Sequence, residues 1–533
     1  MASSEHLSTA ERLLCAGSYF RSEPAARAAM ADDPADPRAV LLWGLSIAAM
    51  GDEDQAAPIL LQAAAMDPGT DHPCTAFARF EPSFPPDAIV RVFQACLRLA
   101  PGDRCLNAAF ADFLIDAHRP AQALEVLAGM ADSPAVLHLR GLAHADLNDF
   151  PAAIACFQQV LTLKPDAAAS WSNLGVVLKV EDRFERSIAA HDKAVALDPA
   201  NHRFRVNRAT ALLRAGRWDA AWADYEHRFH LPGSAAPDPA KLMPSIAPED
   251  SLAGLTVVAI HEDGFGDTLQ FLRYLPLLAE RGARVVACVP STLARILSLV
   301  PGVADVVTGR QMIPRHDFIC PMFSLPRVFG TTTATVPPVP AICLDPTALR
   351  QWRNWLPRTG LKVGLVWAGQ PRPLLPGFTT LDRRRSAGLA AFAPLLALPG
   401  VAFVSLQAGH EADQRLSAAT PLIDPMPHIE DFADTAAVIA NLDLVIGVDT
   451  AVIHLAGLMG KPVFLLDRYD ACWRWLSGRR DSPWYPELTI FRQQRPGDWS
   501  APMQQAADAL RAFAAARGTV IPAGAVREPA FIA

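Results

Sequence analysis

The chain has 533 residues, of which 51% are hydrophobic and 19% charged, and its net charge is −7. This length predicts about three folding units, and the composition excludes a disordered protein. The negative charge argues against a general nucleic-acid binder. No apolar run approaches the roughly 20 residues that span a bilayer, so no integral membrane segment is expected. Residues 1–17 lack a signal-peptide pattern, and we expect a cytoplasmic protein.

The cysteines and histidines indicate neither a disulfide framework nor a metal site. The nine cysteines are scattered without a C-x-x-C pair. Most lie among apolar residues, so we expect buried, reduced thiols. The histidines are isolated, and no metal-ligand set is predicted. A Walker-type phosphate loop is also missing, which leaves phosphoryl transfer from ATP without support.

Residues 1–230 repeat with a period of 34. Gly141 and Gly175 are 34 apart, and so are Pro165 and Pro199. Small residues let the two helices of a hairpin pack closely, and proline ends the second helix. With Trp171-x-x-Leu-Gly, this pattern resembles the tetratricopeptide repeat, and about seven hairpins fit. Residues 75–134 match poorly, so we expect irregular hairpins there.

A proline-rich linker at residues 231–251 separates this helical region from a different pattern. After it, apolar runs alternate with helical segments, which predicts parallel βαβ units. We expect one α/β half at 252–345 and a second at 346–533, closed by a helix near 501–517. The predicted fold class is therefore multidomain: an all-α solenoid followed by two doubly wound, Rossmann-like halves, as in the GT-B architecture. The linker also predicts that a chain starting near Pro248 folds by itself. The expected strands are residues 255–260, 284–289, 362–367, 401–406, 442–446 and 462–466.

Two strand–turn–helix segments carry the residues that we expect to act. In the second half, an apolar run ends and Asp449, Thr450 and Ala451 begin a helix, whose first N–H groups can bind an anion. In the first half, Gly264-Phe-Gly-Asp267 follows an apolar run and permits close approach of a substrate. Ligands of open α/β sheets bind at the carboxyl ends of strands. The alternative in each case is an ordinary capped turn.

Beyond the linker, the motifs together resemble one family. Residues 252–499 are similar to the glycosyltransferase family that contains the ADP-heptose:lipopolysaccharide heptosyltransferases, and especially to its bacterial members with tetratricopeptide repeats in front. One departure is the basic segment Arg383–Arg385, because the heptosyltransferases place a lysine there. The matching motifs, in order, are Gly264-Phe-Gly-Asp267, Val363-Gly-Leu-Val-Trp-Ala-Gly369, Asp382-Arg-Arg-Arg-Ser386, Phe403-Val-Ser-Leu-Gln407, Asp431-Phe-Ala-Asp434, Val448-Asp-Thr-Ala-Val-Ile-His454, Trp473-Arg-Trp475 and Ser482-Pro-Trp-Tyr-Pro486.

The resemblance implies an inverting, metal-independent transfer from a nucleotide-diphosphate sugar. The nucleotide sugar is a substrate, so no cofactor is expected. Asp267 is implied as the catalytic base for the acceptor hydroxyl; the alternative is an N-cap of a helix starting at Thr268. Arg383 and Arg385 are expected to neutralise the leaving phosphate, with a solvated charge run as the alternative. Trp473, Trp475, Trp484 and Tyr485 are expected to pack in the core. The residues expected to bind the donor are Gly264, Gly266, Arg383, Arg385, Gln407, Asp449, Thr450, Ala451 and His454.

Three acceptor hypotheses follow for the whole chain. Repeat solenoids present an extended concave surface for proteins, and a small sugar needs no such surface. The repeats therefore favour a protein acceptor such as flagellin. The second hypothesis is a surface polysaccharide or lipopolysaccharide glycan, with the repeats used for assembly. The third is an idle transferase fold that serves as a scaffold; the presence of Gly266-Asp267 and Asp449-Thr450 argues against it.

Overall fold

A computed structural model describes residues 2–67, 85–234, 236–370, 378–417 and 422–518. Cys74 and the first part of the irregular segment, residues 75–84, lie outside the described residues. The chain forms two compact units that divide between Val177 and Leu178. In the first unit the described elements are all helices, whereas the second contains the last helical hairpins and two β-sheets.

Helices occupy the region up to His230, as the period of 34 predicts. Aspartates at positions 36, 52, 103 and 149 accept hydrogen bonds from the first N–H groups of α3, α4, α6 and α9, which explains where these helices begin. Gly141 shows why the repeat needs small residues, because a Cβ there would lie 2.7 Å from the Phe157 ring. The helices are α1 (Ala2–Cys15), α2 (Tyr19–Asp32), α3 (Pro37–Ala49), α4 (Glu53–Met66), α5 (Pro86–Leu99), α6 (Arg104–Asp116), α7 (Pro120–Ala128), α8 (Pro134–Asp146), α9 (Phe150–Leu163), α10 (Ala168–Val180), α11 (Phe184–Leu197), α12 (His202–Arg214) and α13 (Trp218–Tyr225).

His191 occupies the place of Phe157 one repeat later, and it is fully buried. Within the described residues, neither ring nitrogen has a hydrogen-bond partner. Burial, with the positive charges of Lys179 and Arg208, lowers the pKa of His191 to about 3. The repeat position therefore holds a neutral imidazole that works as an apolar side chain.

We expect this histidine to make the second unit sensitive to acid. The unfolded chain binds a proton at His191 below about pH 6.5, whereas the folded chain does not until about pH 3. Stability is therefore lost as the pH falls through this window, by up to about 5 kcal/mol. His191→Phe should remove this loss, measured by urea unfolding across the window. Equal acid sensitivity of both chains would contradict the assignment.

Beyond the linker the chain forms two parallel sheets. The first sheet has the order β3-β2-β1-β4 and the second β6-β5-β7-β8-β9. The predicted strands are all present, whereas β3, β4 and β9 were not predicted. The strands are β1 (Thr256–Ile260), β2 (Arg284–Cys288), β3 (Val303–Val307), β4 (Phe318–Pro321), β5 (Leu361–Val366), β6 (Val401–Ser405), β7 (Leu444–Val448), β8 (Val463–Asp467) and β9 (Leu488–Arg492).

Helices connect the strands of both sheets, which confirms the predicted fold class: a helical repeat region followed by a parallel α/β region that resembles the GT-B fold. The closing helix near residues 501–517 is also present. These helices are α14 (Phe265–Phe271), α15 (Leu275–Glu280), α16 (Ser291–Ser298), α17 (Leu325–Val328), α18 (Pro346–Trp355), α19 (Phe378–Arg385), α20 (Ala393–Leu396), α21 (Phe432–Ala440), α22 (Ala451–Leu458) and α23 (Ser500–Ala516).

The last helical hairpin, α12–α13, packs into the core of the α/β region. Trp218 stacks on Trp484 with ring centroids 5.0 Å apart, and Trp222 meets Trp473 edge to face at 5.8 Å. Both α13 tryptophans are buried. The Trp222 indole N–H also donates to the Thr331 carbonyl oxygen at 2.7 Å. The secondary structure changes class at the linker, but the hydrophobic core continues across it, and this alters the expectation for a chain starting near Pro248.

The cysteines are less uniformly buried than the sequence predicts. The eight described cysteines form no disulfide. Of these, Cys96, Cys288 and Cys320 are buried, whereas Cys15, Cys105 and Cys343 are exposed. Across the described ranges, no helix combines the length and the apolar character needed to cross a membrane.

Candidate functional site

Both predicted turns lie where the strand order of a sheet reverses. In the second sheet, β5 continues to β6 on one side, and β7 continues to β8 on the other. In the first sheet, β1 and β4 flank the corresponding point. The crevice outside the carboxyl ends of such strand pairs is where open α/β sheets bind ligands. Asp449 follows β7 and Gly264 follows β1, so the topology places both turns at the expected ligand crevices.

The start of α22 presents unpaired polar groups. Thr450 is the N-cap residue with an extended backbone, and its side chain makes no capping hydrogen bond. Its Oγ1 is buried and has no partner among the described residues. The N–H groups of Ala451 and Val452 also lack intrahelical acceptors, as at any helix start. A buried hydroxyl and a positive helix end together fit an anionic ligand.

Asp449 is held by a buried histidine. His454 Nε2 lies 3.4 Å from Asp449 Oδ1, and His454 Nδ1 lies 2.9 Å from the Tyr485 hydroxyl. The imidazole stacks on Trp475. Burial alone would raise the pKa of Asp449, but the hydrogen bond from His454 and the charge of Arg474 hold it well below its usual range. Asp449 is therefore a carboxylate at neutral pH. His454 is buried and contacts Asp449 rather than facing an open pocket.

Asp267 is the third residue of α14, not the cap of a helix starting at Thr268. The helix begins at Phe265 with Gly264 as its N-cap. The Gly264 N–H donates to Asp267 Oδ2 at 3.0 Å. Asp267 Oδ1 forms an ion pair with Arg474. One carboxylate therefore caps the turn and neutralises an arginine of the other α/β half, and the base role stays a prediction.

Arg474 is a site residue that the sequence reasoning missed. Its guanidinium is buried, donates from Nε to Gln270 Oε1 at 2.5 Å, and lies over the Trp473 ring at 4.7 Å from its centroid. Burial alone would lower the pKa of Arg474, but the charge of Asp267 raises it above its usual range. The signal in the sequence is an arginine between two tryptophans that are predicted to pack in the core.

The two turns touch each other. A Cβ at Gly266 would lie 2.7 Å from His454 Cδ2 and 3.5 Å from the Ala451 Cα. Only glycine lets α14 approach α22 this closely. The contact between Gly266 and His454 thus brings the ion pair of Asp267 and Arg474 beside Asp449 and its neighbour His454.

Within the basic segment Arg383–Arg385, Arg385 lies at the crevice and Arg383 is exposed to solvent. Arg385 Nη1 lies 3.4 Å from the Asp449 carbonyl oxygen, and its Nη2 pairs with Asp382 at 2.9 Å. A Cβ at Gly369, just after β5, would collide with the Arg385 guanidinium. Arg385 therefore lies at the carboxyl ends of β5 and β7. Arg383 is exposed, and no contact among the described residues joins it to this crevice.

Gln407 supports the loop after β5. Its Oε1 accepts hydrogen bonds from the Trp367 and Ala368 N–H groups at 3.0 and 2.9 Å. Its Nε2 donates to the Ala368 and Ala408 carbonyl oxygens at 3.0 and 2.9 Å. The buried Gln407 amide makes all of these hydrogen bonds to main-chain groups, so it holds the loop that shapes the crevice. A direct contact of Gln407 with the nucleotide sugar stays a prediction. The predicted packing of Trp473, Trp475, Trp484 and Tyr485 is confirmed, since all four are buried.

The end of the repeat region reaches the loop that precedes α14, the helix that carries Asp267. Arg228 forms an ion pair with Glu262 at 3.0 Å, and the Phe323 N–H donates to the same carboxylate at 3.2 Å. Asp263, the next residue, has a left-handed backbone with φ 53°. Such strain in a residue other than glycine persists only where the surroundings hold it. The contacts of Arg228 and Phe323 hold the preceding residue, Glu262.

A sequence comparison identifies the repeats. The family model described as "Tetratricopeptide repeat" matches residues 138–200 and 179–227. The chain contains tetratricopeptide repeats. The chain is also similar to Protein FlbA of Caulobacter vibrioides. The two are 29% identical over 470 residues, an alignment that covers 79% of this chain and 75% of that protein. That alignment is longer than the repeats, so the similarity includes much of the α/β region.

Two solved glycosyltransferases are similar to about half of the chain. The E. coli ADP-heptose lipopolysaccharide heptosyltransferase II covers 50% of this chain and 100% of its own, with TM-score 0.37 and 12% identity. The glycosyltransferase family 9 protein of Veillonella parvula covers 52% of this chain and 95% of its own, with TM-score 0.35 and 12% identity. The α/β fold of the region after the repeats is established by the strand order of its two sheets and not by these scores.

Proposed function

We propose that this protein is a glycosyltransferase that moves a sugar from a nucleotide sugar to a hydroxyl group. The observation that supports the proposal most is the contact between the two crevice turns, Gly266 against His454. This contact supports a site with the start of α22 on one side and the Asp267 carboxylate on the other. Transfer of a sugar from a diphosphate needs both, positive potential for the leaving phosphate and a base for the acceptor.

In the proposed reaction, the acceptor oxygen bonds to the anomeric carbon while the bond from that carbon to the phosphate oxygen breaks, with inversion. Asp267 takes the acceptor proton. The Thr450 hydroxyl and the N–H groups at the start of α22 bind the diphosphate, and Arg385 neutralises its charge. The Asp449 carboxylate would repel a phosphate, so its proposed role is to accept a hydrogen bond from a donor hydroxyl. The reaction is proposed to need no metal ion.

The acceptor is proposed to be a protein such as flagellin, recruited by the tetratricopeptide repeats. Two features support this. Repeat solenoids commonly bind proteins, and the α12–α13 hairpin here is built into the α/β core rather than joined by a loose linker. The glycan-acceptor and scaffold hypotheses are the outcomes to be tested against it.

Thr450→Val tests the donor site directly. Valine keeps the shape but removes a buried hydroxyl that has no partner among the described residues, so stability should be unchanged or slightly higher. Donor affinity should fall about tenfold, the cost of a lost hydrogen bond to a charged group. Calorimetry with a panel of nucleoside diphosphates and their sugars measures the affinity.

The matched control for this experiment is Thr435→Val. Thr435 is also a buried threonine near a helix start, but its Oγ1 already donates to the Asp431 carbonyl oxygen at 3.1 Å. This variant should lose stability and keep donor affinity. No binding of any panel member by the wild-type protein, or equal affinity in Thr450→Val, would contradict the proposed donor site.

A further inference from the structure

A polar pocket with an exposed tryptophan lies between α16, α18 and α21. Its volume is about 430 Å³, within the range of small-molecule sites. Trp355 is 43% exposed, so part of its indole is open to solvent. The pocket is lined by Arg295, Gln351, Trp352, Trp355, His428, Glu430 and Asp434.

The aromatic side chains of the pocket are held in fixed positions. Trp352 is buried and meets Trp355 edge to face at 5.5 Å, and His428 meets Trp355 in the same way at 6.1 Å. In an edge-to-face pair the edge of one ring meets the face of the other, and Trp355 stays 43% exposed beside both neighbours. An exposed indole face packs against the C–H groups of a ligand. Because a tryptophan side chain has only two rotatable bonds, it loses little conformational entropy when a ligand orders it.

The polar groups of the pocket are mixed in type. Arg295 donates to Asp431 at 2.6 Å and pairs with Asp434 at 2.5 Å, so its charge is already neutralised. With Glu430 added, carboxylates outnumber cations, which disfavours a phosphate or another anion. Gln351 and His428 supply further donors and acceptors. A neutral ligand that carries both hydroxyl donors and acceptors matches this lining.

The start of α21 connects the pocket to the candidate site. Asp431, which pairs with Arg295, precedes Phe432, and the Phe432 ring meets Phe265 edge to face at 5.5 Å. Phe265 begins the helix that carries Asp267, and 36% of its surface is exposed. The Arg295–Asp431 ion pair and the Phe432–Phe265 contact thus link the pocket lining to the helix that carries the candidate base.

We infer that this pocket binds a neutral saccharide, with the Trp355 ring face under the sugar ring and the Gln351, Glu430 and Asp434 groups on its hydroxyls. The pocket volume accommodates one or two sugar rings. A cationic peptide is the other partner that carboxylates and an indole attract, and its binding is one outcome of the test below. This site would be separate from the one proposed for the nucleotide sugar, since none of its residues belongs to α22 or its preceding turn.

Saturation-transfer NMR of the full chain with a panel of neutral mono- and disaccharides tests the inference. We expect binding, and a loss of about tenfold in Trp355→Ala, the value of one aromatic stacking contact. Trp355→Phe should retain part of the affinity. Phe20→Ala is the matched control, because Phe20 is also an exposed aromatic residue, at 86%, but belongs to the other compact unit.

Three results would overturn the inference: no saccharide signal in the wild-type protein, equal signals in Trp355→Ala, or binding of a lysine-rich peptide in place of saccharides with the same dependence on Trp355. Thermal unfolding of each variant checks the fold, and partial retention in Trp355→Phe separates lost stacking from lost structure. Nucleotide-sugar binding is measured on the same samples, so failure of the saccharide site is distinguishable from failure of the proposed function.

Discussion

Replacing Asp267 with asparagine is expected to lower the rate of sugar transfer by about 10²–10⁴, the loss typical of a missing general base. Asparagine keeps the size of the side chain and can still accept the Gly264 N–H, which now bonds to Asp267 Oδ2. It cannot take a proton from an acceptor hydroxyl. Affinity for the nucleotide sugar should change little, because the groups proposed to bind its diphosphate lie at the start of α22 and on α19 rather than on Asp267. A steady-state transfer assay, with calorimetry of donor binding, separates the two effects.

The ion pair with Arg474 makes a second variant necessary. Arg474 is buried, and a buried cation left without its carboxylate destabilises a protein by about 3–5 kcal/mol. The double variant Asp267→Asn/Arg474→Gln removes both charges, so we expect it to recover most of the stability in urea unfolding. Its transfer rate should stay low. Recovery of the rate together with the stability would show that Asp267 serves only as the partner of Arg474.

Starting the chain at Pro248 is expected to prevent stable folding, whereas starting it at Pro165 should leave a folded α/β unit. The first truncation removes Trp218 and Trp222, whose rings fill the core between Trp473, Trp484 and Phe271. It also removes Arg228, which holds the loop before α14 through Glu262. The longer chain keeps all of these contacts. Circular dichroism and urea unfolding of both truncated chains measure the difference.

A single substitution tests the same core in the full chain. Trp222→Ala should lower the free energy of unfolding of the second unit by about 3–5 kcal/mol, the usual cost of emptying a large aromatic site. It also leaves the Thr331 carbonyl without its donor. Trp222→Phe should retain most of the packing and lose less. A stable chain starting at Pro248, or equal stability of both variants, would place the domain boundary at the linker after all.

The sequence was sufficient for every feature that depends on local pattern. The period of 34 determined the repeat hairpins, because each hairpin buries its own small and apolar residues. The long apolar runs determined strands β1, β2, β5, β6, β7 and β8, since strands covered on both faces are continuously hydrophobic. The strands that it missed are short or at a sheet edge: β3 carries an exposed Asp305, and β4 has only four residues.

Long-range packing decided the rest. Arg474 reaches Asp267 across 207 positions of sequence, and no local pattern in the Trp473-Arg474-Trp475 motif specifies that partner. Gly266 was predicted to permit close approach of a substrate, yet its smallness first serves contact with His454. The linker marked a real change of secondary structure, but the Trp218 and Trp222 side chains extend the core past it. Local sequence determines which elements form, because their hydrogen bonds and turns are local; which side chains share a core or a charge is decided only when distant elements exclude water together.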